Sequence, residues 1–327
     1  MLALVWIAII AFCIIMYVIL DGFTLGTGMM LPFLKPHERD IAMSVILPTW
    51  DGNQTWLVLG MASLYGAFPL AFSILLPLFY IPLLIMVIAL LARGVAFEFR
   101  LKSNTGKNKW DILFVCASLG ITLVQGYILG TFIQGLSSQG EHWQLTHPFS
   151  FFALLTAVSL VSGYALLGST RLMLKTTGTL VTKMHRISLT LTLTLVLAIF
   201  LVSIVTPYVY PLVQARWFNL HTLPLLAILP FITIITFIGL LYALQRRMEK
   251  LPYWLAIILF LCPYIGFIIS LYPYLIPYKL TLWQVASPNS SLRFLLIGAL
   301  IMLPILLFYT GYAYHIFRGK VDKKLHY

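Results

Sequence analysis

The chain has 327 residues and a formal net charge of +12, yet only 9% of its residues are charged and 61% are hydrophobic. Soluble domains carry about 25% charged residues, and several apolar runs here exceed the ~18 residues that span a bilayer. The composition therefore excludes a soluble protein and indicates a polytopic membrane protein. The basic residues lie between the apolar runs rather than on an aromatic-interleaved surface, which argues against nucleic acid as a partner.

Hydropathy windows predict an all-α fold with nine transmembrane helices in a single integral membrane domain over residues 1–327. The first apolar run has neither a basic leader nor a small-residue cleavage site, so we expect it to remain as the first helix. A tight turn near residues 69–72 separates the second helix from the third. The helices are predicted at about 2–30, 50–70, 72–98, 110–135, 149–173, 186–207, 221–245, 252–275 and 292–317.

Lysine and arginine are distributed unequally between the two sides that these helices define. Of the 21 such residues, only Arg216, Lys279 and Arg293 fall on one side. The others follow helices one, three, five, seven and nine: Lys35, Arg39, Arg93, Arg100, Lys102, Lys107, Lys109, Arg171, Lys175, Lys183, Arg186, Arg246, Arg247, Lys250, Arg318, Lys320, Lys323 and Lys324. Because basic loops stay in the cytoplasm, we expect the N-terminus outside and the C-terminus in the cytoplasm.

Two short polar strings interrupt the apolar runs, at residues 20–28 (LDGFTLGTG) and 48–56 (PTWDGNQTW). Each places a carboxylate, Asp21 or Asp51, where hydrocarbon is expected, at a cost of roughly 2.5–3.5 kcal/mol on insertion scales. The predicted orientation puts Asp21 in the cytoplasmic half of helix one and Asp51 at the cytoplasmic start of helix two. We therefore expect both carboxylates to approach each other from the cytoplasmic side and to handle protons.

The second string predicts a small polar cluster at the start of helix two. Helical spacing of three and four places Trp50, Asp51 and Gln54 on one face, and Asn53 lies beside them. The helix dipole favours an anion at this end. Capping of the helix is the competing interpretation of Asp51.

The first string predicts close helix packing around Asp21. Gly22 and Gly26 form a small-xxx-small pair, and Gly28 extends the smooth face, so that a neighbouring helix can seal the carboxylate away from lipid. The alternative is a structural carboxylate that reaches toward the interface.

The other ionisable residues are predicted to have interfacial and structural roles. We expect Glu98, Arg100 and Arg93 to form ion pairs at the headgroup level and Asp111 to open helix four as an acidic first-turn residue. Gln134, near the outer end of helix four, is a candidate hydrogen-bond donor to a quinone-like carbonyl, or equally a cap of that helix.

The sequence predicts no metal site and no haem ligand. The three cysteines lie far apart without a CxxC or Cys/His spacing. Haem ligation needs a histidine directed into a helix bundle, and none lies centrally in a predicted span.

Taken together, the two strings resemble subunit II of the cytochrome bd family of quinol oxidases. The string at 48–56 is the most specific match, and the compact length is most similar to the cyanide-insensitive branch. Further matching segments follow in order along the chain: 67–69, 93–100, 110–111, 130–135, 280–283 and 304–310.

The resemblance implies two four-helix bundles with one peripheral helix, located in the bacterial cytoplasmic membrane. It implies a haem-bearing subunit I that holds haem b and haem d, oxidises quinol and reduces dioxygen to water. A small accessory subunit, membrane lipid and a structural quinone are further partners in the family. By position, Asp51 with Trp50 matches the family's proposed proton uptake site, and Asp21 matches the acid of its helix-one motif.

Two positions depart from the family pattern. Thr24 stands where relatives often carry a second acid, and Gln284 replaces an acid after Trp283. A two-carboxylate relay within helix one is therefore unsupported.

Two other functions remain open from the sequence. A proton-coupled secondary transporter also uses intramembrane acids, although the later half of this chain lacks the matching polar break of an inverted repeat. A purely structural scaffold for a haem subunit differs from the oxidase hypothesis only in whether protons pass.

Overall fold

The computed structural model describes residues 1–103, 105–139, 142–219 and 223–321. The predicted start of helix seven at residue 221, and the basic residues Lys323 and Lys324, lie outside these ranges. The α-helices are α1 (Leu2–Met30), α2 (Pro36–Ile46), α3 (Thr55–Ala67), α4 (Pro69–Leu78), α5 (Tyr80–Lys102), α6 (Lys107–Ile133), α7 (Phe151–Lys175), α8 (Thr179–Val209), α9 (Pro211–Trp217), α10 (Leu223–Gln245), α11 (Leu251–Leu271) and α12 (Asn289–Ile316). Two antiparallel hairpins pair β1 (Leu136–Gln139) with β2 (His142–Leu145) and β3 (Tyr274–Ile276) with β4 (Leu280–Thr281).

Eight helices in the described ranges are long and apolar enough to cross a membrane, namely α1, α5, α6, α7, α8, α10, α11 and α12. The predicted second span consists of a 3-10 turn, Gly52–Gln54, followed by the 13-residue α3. At about 1.5 Å per residue, α3 is about 20 Å long, which is less than the ~30 Å hydrocarbon core. The ninth crossing and the division into two bundles with a peripheral helix therefore stay predictions.

The predicted third helix, 72–98, is wrong in its detail, because the chain forms two helices there. Phe79 leaves the helical conformation between α4 and α5, with Pro77 before it and Pro82 after it. A proline lacks the backbone N–H and crowds the preceding turn, so two prolines five residues apart favour a break. Pro69 occupies the first position of α4, where a missing N–H is tolerated.

Several short elements were not predicted. The polar helix α2 connects α1 to the second string, and the two hairpins close the far end of the bundle. Helix α8 begins at Thr179, earlier than the predicted residue 186. These segments are too short or too polar for a hydropathy window to detect.

The basic side predicted from sequence is one physical end of the molecule, here called the basic end. Lys183 Nζ lies 3.0 Å from Glu38 Oε2, which connects the start of α8 to α2. Lys175 Nζ donates to the carbonyl oxygen of Gly319 at 3.3 Å, which joins the end of α7 to the segment after α12. The hairpins occupy the opposite end, where Tyr278 Oη donates to the Ile133 carbonyl at 3.2 Å.

Helix α1 lies at the centre of the bundle, against α3, α6 and α7. The backbones of α1 and α7 touch at two glycines. A Cβ built on Gly26 would lie 1.7 Å from the carbonyl oxygen of Tyr164, and one built on Gly168 would lie 2.2 Å from the carbonyl carbon of Gly26. The small residues of the first string thus serve the close packing that the sequence predicted.

Glu38 fixes the start of α2 in a capping box. Its Oε2 accepts from the Lys35 backbone N–H at 2.8 Å and from Lys183 Nζ at 3.0 Å. Burial works to raise the pKa of Glu38, but these two donors outweigh it, so the pKa is lowered.

We predict that Gly168→Ala destabilises the protein by about 1–3 kcal/mol, because the added methyl group meets the backbone of α1. Gly298→Ala is the matched control, since a Cβ at Gly298 meets no atom within 4 Å. Thermal unfolding of both variants in detergent measures the difference. Equal midpoints for the two variants would contradict the packing described here.

We predict that the stabilising effect of Glu38 depends on pH. Because the folded pKa is lowered, the full effect is present above the unfolded value of about 4.3 and is lost as the pH falls through the folded pKa. Glu38→Gln should therefore lower stability by about 1–2 kcal/mol at pH 7 and by much less near pH 3. Unfolding curves across this range test it, with the half-exposed Glu98→Gln as the control; a gap that widens in acid would refute the assignment.

Candidate functional site

Asp21 forms an ion pair with Arg93 inside the bundle. Arg93 Nη1 lies 3.0 Å from Asp21 Oδ1, and neither side chain has any exposed surface. Asp21 stands nine residues before the end of α1 at Met30, and Arg93 stands nine residues before the end of α5 at Lys102. Each residue is therefore about 14 Å along its helix from the basic end. Equal depth lets the two charges meet without distorting either helix.

A hydrogen-bonded chain of polar side chains surrounds this pair. Gln125 Nε2 donates to Tyr17 Oη at 2.6 Å, and Tyr164 Oη donates to Gln125 Oε1 at 2.9 Å. Tyr17 lies one turn before Asp21 on α1, and the Tyr164 ring lies against Gly22. Helices α1, α5, α6 and α7 thus each contribute to one buried polar layer.

Asn53 joins the two polar strings. Its Nδ2 donates to the Leu20 carbonyl at 2.8 Å and to Thr24 Oγ1 at 3.3 Å. Tyr314 Oη, from α12, donates to Asn53 Oδ1 at 3.0 Å. The second string therefore contacts the first within one residue of Asp21, and Thr24, where relatives often carry an acid, accepts one of these hydrogen bonds.

Asp51 is exposed at the basic end. It precedes the 3-10 turn without a side-chain capping bond, so the capping interpretation does not describe its geometry. Its backbone carbonyl accepts from the Gln54 N–H at 3.1 Å, but its carboxylate makes no hydrogen bond or ion pair with the described part of the chain. Trp50 packs away from it, on the Phe97 ring at 4.9 Å between centroids and against Gly94. Of the predicted cluster, the structure places Asn53 in the interior and leaves Asp51 at the surface.

The interfacial residues form a separate charge cluster between α2, α5 and α6. Arg100 contacts Asp111 through Nε and lies 3.0 Å from Asp40 through Nη1. Arg39 reaches Asp111 at 3.3 Å, and Lys107 reaches Asp40 at 3.3 Å. Sequence reasoning missed Arg39 and Asp40, because they belong to the unpredicted helix α2.

The prediction for the other two residues of this group needs correction. Glu98 pairs with Lys102 at 3.8 Å on an exposed helix surface rather than with Arg100. Arg93 lies two turns deeper than the headgroup level and serves Asp21. The equal distances of Asp21 and Arg93 from their helix ends are the signal that sequence analysis did not use.

Gln134 caps a helix junction. Its Nε2 donates to Ser150 Oγ at 2.6 Å and to the Gly130 carbonyl at 3.1 Å, while Ser150 accepts from the Ala153 N–H at the start of α7. The amide group that would donate to a quinone is thus used within the protein. Across the described ranges, no group of three or more His, Cys, Asp or Glu side chains could hold a metal ion.

The fold and the site define a class of protein: a multi-pass helical membrane protein with a buried ion pair in its interior and an exposed acid at its basic end. The family of "Cytochrome bd terminal oxidase subunit II" matches residues 2–317, so the chain belongs to that family. It is a bacterial inner-membrane protein and a subunit of an oxidoreductase complex. The family implies a subunit I partner that carries the haems.

Relatives in this family align with almost the whole chain. "Cytochrome bd-I ubiquinol oxidase subunit 2" of Escherichia coli K12 is 26% identical over 366 aligned residues, covering 99% of this chain and 96% of the relative. "Cytochrome bd ubiquinol oxidase subunit 2" of Bacillus subtilis is 27% identical over 338 residues, covering 98% and 96%. A chain in the structure of bd oxidase from Geobacillus thermodenitrificans has a TM-score of 0.79 at 16% identity, covering 97% of this chain and 98% of that chain, which shows a common fold.

We predict that Arg93→Gln destabilises the protein by about 3–5 kcal/mol, because it leaves the Asp21 carboxylate buried without a counter-charge. Asp21→Asn combined with Arg93→Gln should recover a large part of that loss, since two neutral amides replace the two charges. Unfolding midpoints of the single and double variants measure the coupling. Additive losses would show that the two side chains act independently.

Proposed function

We propose that this chain is the haem-free subunit II of a cytochrome bd-type quinol oxidase, with nine crossings and its N-terminus outside. In this proposal the haem-bearing subunit I oxidises quinol and reduces dioxygen to water, and this chain helps to supply the cytoplasmic protons. The observation that carries the proposal is the placement of Asp51 at the surface of the basic end, on the same short string as Asn53, which contacts helix one next to Asp21.

Asp51 is assigned the uptake of protons. Its carboxylate oxygens are not used by the described part of the chain, so they are available to water at the basic end. The basic residues around it support a cytoplasmic location. A carboxyl group at such a position can accept a proton from one side and release it to the next polar group.

Asp21 and Arg93 are assigned the inner end of the route. We assign Asn53, Thr24 and Tyr314 to the stretch between this pair and Asp51. Asn53 Nδ2 donates to Thr24 Oγ1 at 3.3 Å, and Tyr314 Oη donates to Asn53 Oδ1 at 3.0 Å. Because Arg93 Nη1 lies 3.0 Å from Asp21 Oδ1 and compensates its charge, we propose that this pair steadies the route, and that the proton uptake step depends on Asp51.

A structural scaffold is the second candidate function, and the Asp21–Arg93 pair favours it. An ion pair buried on both sides also serves to hold α1 and α5 in register. Family membership favours both of these over a proton-coupled transporter. The two candidate functions differ in one expectation. A proton route requires oxidase turnover to depend on Asp51, whereas a scaffold does not.

We predict that Asp51→Asn in the assembled oxidase slows quinol-dependent oxygen uptake by at least about tenfold, because the amide cannot carry a proton. Asp51→Glu should retain most of the activity. The control is Glu98→Gln, which removes another exposed carboxylate on α5 and should change nothing. Reduced-haem spectra of each preparation separate transport of protons from assembly.

Two results would contradict this assignment. Unchanged turnover and membrane potential in Asp51→Asn proteoliposomes would exclude the uptake role and leave the scaffold. Loss of the haem spectrum in the same variant would mean that Asp51 supports assembly of the complex.

A further inference from the structure

A cavity of about 200 Å³ lies at the basic end, and neither Asp51 nor Asp21 is among its lining residues. Its walls come from the end of α2, the end of α7, and the end of α12 with the segment that follows it. Three of its described lining residues are cationic, Arg171, Lys175 and Lys320, and none is acidic. The proposed function uses none of these three residues.

Arg171 is buried without a counter-charge. It is 8% exposed, and its Nε is a buried donor with no hydrogen-bond partner. Its guanidinium carbon lies 4.8 Å from the ring centre of Phe23, 5.1 Å from that of Tyr253 and 5.2 Å from that of Tyr314. These ring faces orient and partly stabilise the cation, but they carry no net negative charge.

Lys175 lies one turn further along the same face of α7. It is 5% exposed, and its Nζ donates to the carbonyl oxygens of Phe317 and Gly319. The Val321 N–H donates back to the Lys175 carbonyl at 2.7 Å, so the segment after α12 folds over the end of α7. The pair is therefore held in a built pocket rather than on a mobile surface.

Neither cation takes part in an ion pair of the described chain. Two buried like charges one helical turn apart repel each other, and burying each costs several kcal/mol without an anion. Lys320 is different, because it pairs with Glu249. The cavity next to Arg171 and Lys175 thus has the charge and the room for an anion.

We propose that Arg171 and Lys175 form a phosphate-binding site. Guanidinium binds phosphate oxygens through two parallel N–H groups, lysine adds a point charge, and the Thr49 hydroxyl also lines the cavity. The phosphate is either the headgroup of an anionic phospholipid or free inorganic phosphate. Beside the cavity, Ile316 and Tyr312 on α12 are exposed apolar residues, which suits acyl chains and favours the lipid.

The test uses the purified oxidase complex, stripped of lipid in neutral detergent and titrated with phosphatidylglycerol, phosphatidylcholine or inorganic phosphate. Native mass spectrometry and thermal unfolding report binding. We expect phosphatidylglycerol to bind and to raise the unfolding midpoint, and phosphatidylcholine to do neither. Lys175→Gln should weaken this binding by about tenfold or more.

The variants distinguish the site from general charge effects. Lys175→Arg keeps the cation and should keep the binding. Lys102→Gln removes a basic residue that is 80% exposed on α5 and should leave binding unchanged. Arg171→Gln should also abolish binding; if that variant does not fold, Lys175→Gln alone decides the question.

Comparing the binding of the two lipids and inorganic phosphate identifies the source of the phosphate. Inorganic phosphate that reproduces the stabilisation, with the same loss in Lys175→Gln, identifies the free anion as the ligand. Equal binding of both lipids, or wild-type binding by Lys175→Gln, would overturn the proposal.

Discussion

Two full charges, Asp21 and Arg93, meet in the interior of the bundle with no exposed surface, and the packing of the central helices follows from this contact. A buried ion pair needs close contact between its charges and the exclusion of lipid to offset the cost of desolvation. Equal depth in α1 and α5 brings Arg93 Nη1 to 3.0 Å from Asp21 Oδ1. The glycine contact between α1 and α7 closes the other side, because Gly26 and Gly168 allow the two backbones to touch. Tyr17, Gln125 and Tyr164 then complete the polar layer, in which α1, α6 and α7 share one set of hydrogen bonds and α5 contributes Arg93.

At the basic end, acidic side chains are also paired with cations, although these groups are less deeply buried. Asp40 and Asp111 each contact two cations there, so that α2, α5 and α6 are joined by shared carboxylates. Asp51 is the exception among these acids, because the described chain offers it no partner. An acid that contributes nothing to internal cohesion is a better candidate for chemistry than one that does. That contrast, rather than burial, is why we propose Asp51 and not Asp21 for proton uptake.

Arg171 and Lys175 show the opposite case, in which buried cations have no counter-charge among the described residues. In a chain of net charge +12, some basic residues must rely on groups outside the chain for neutralisation. Most such residues are neutralised by counter-ions in water or by lipid headgroups, where the free-energy cost of the charge is small. Aromatic rings enclose Arg171, and the segment after α12 covers Lys175, which is why we propose a bound anion for these two.

The accuracy of the prediction from sequence differs between structural elements. Helix one was predicted as 2–30 and is Leu2–Met30, because backbone at membrane depth is stable only as a helix, even through the polar string at residues 20–28. The third span was predicted as continuous, although Pro77 and Pro82 divide it. Helix α2 was missed because its polar sequence gives no hydropathy signal, and with it Asp40 and Arg39 were missed as partners in the charge cluster.

The sequence by itself determined the membrane class, the basic end, the two polar strings and the family resemblance, because these depend on composition and on order along the chain. Only the tertiary structure decided that Asp21 pairs with Arg93, that Asn53 joins the strings and that Gln134 caps a helix. Helical rise converts sequence position into depth, but the neighbour that a helix face meets depends on rotation and packing. Those two quantities are set by contacts between segments that lie far apart in the chain, and no local pattern specifies them.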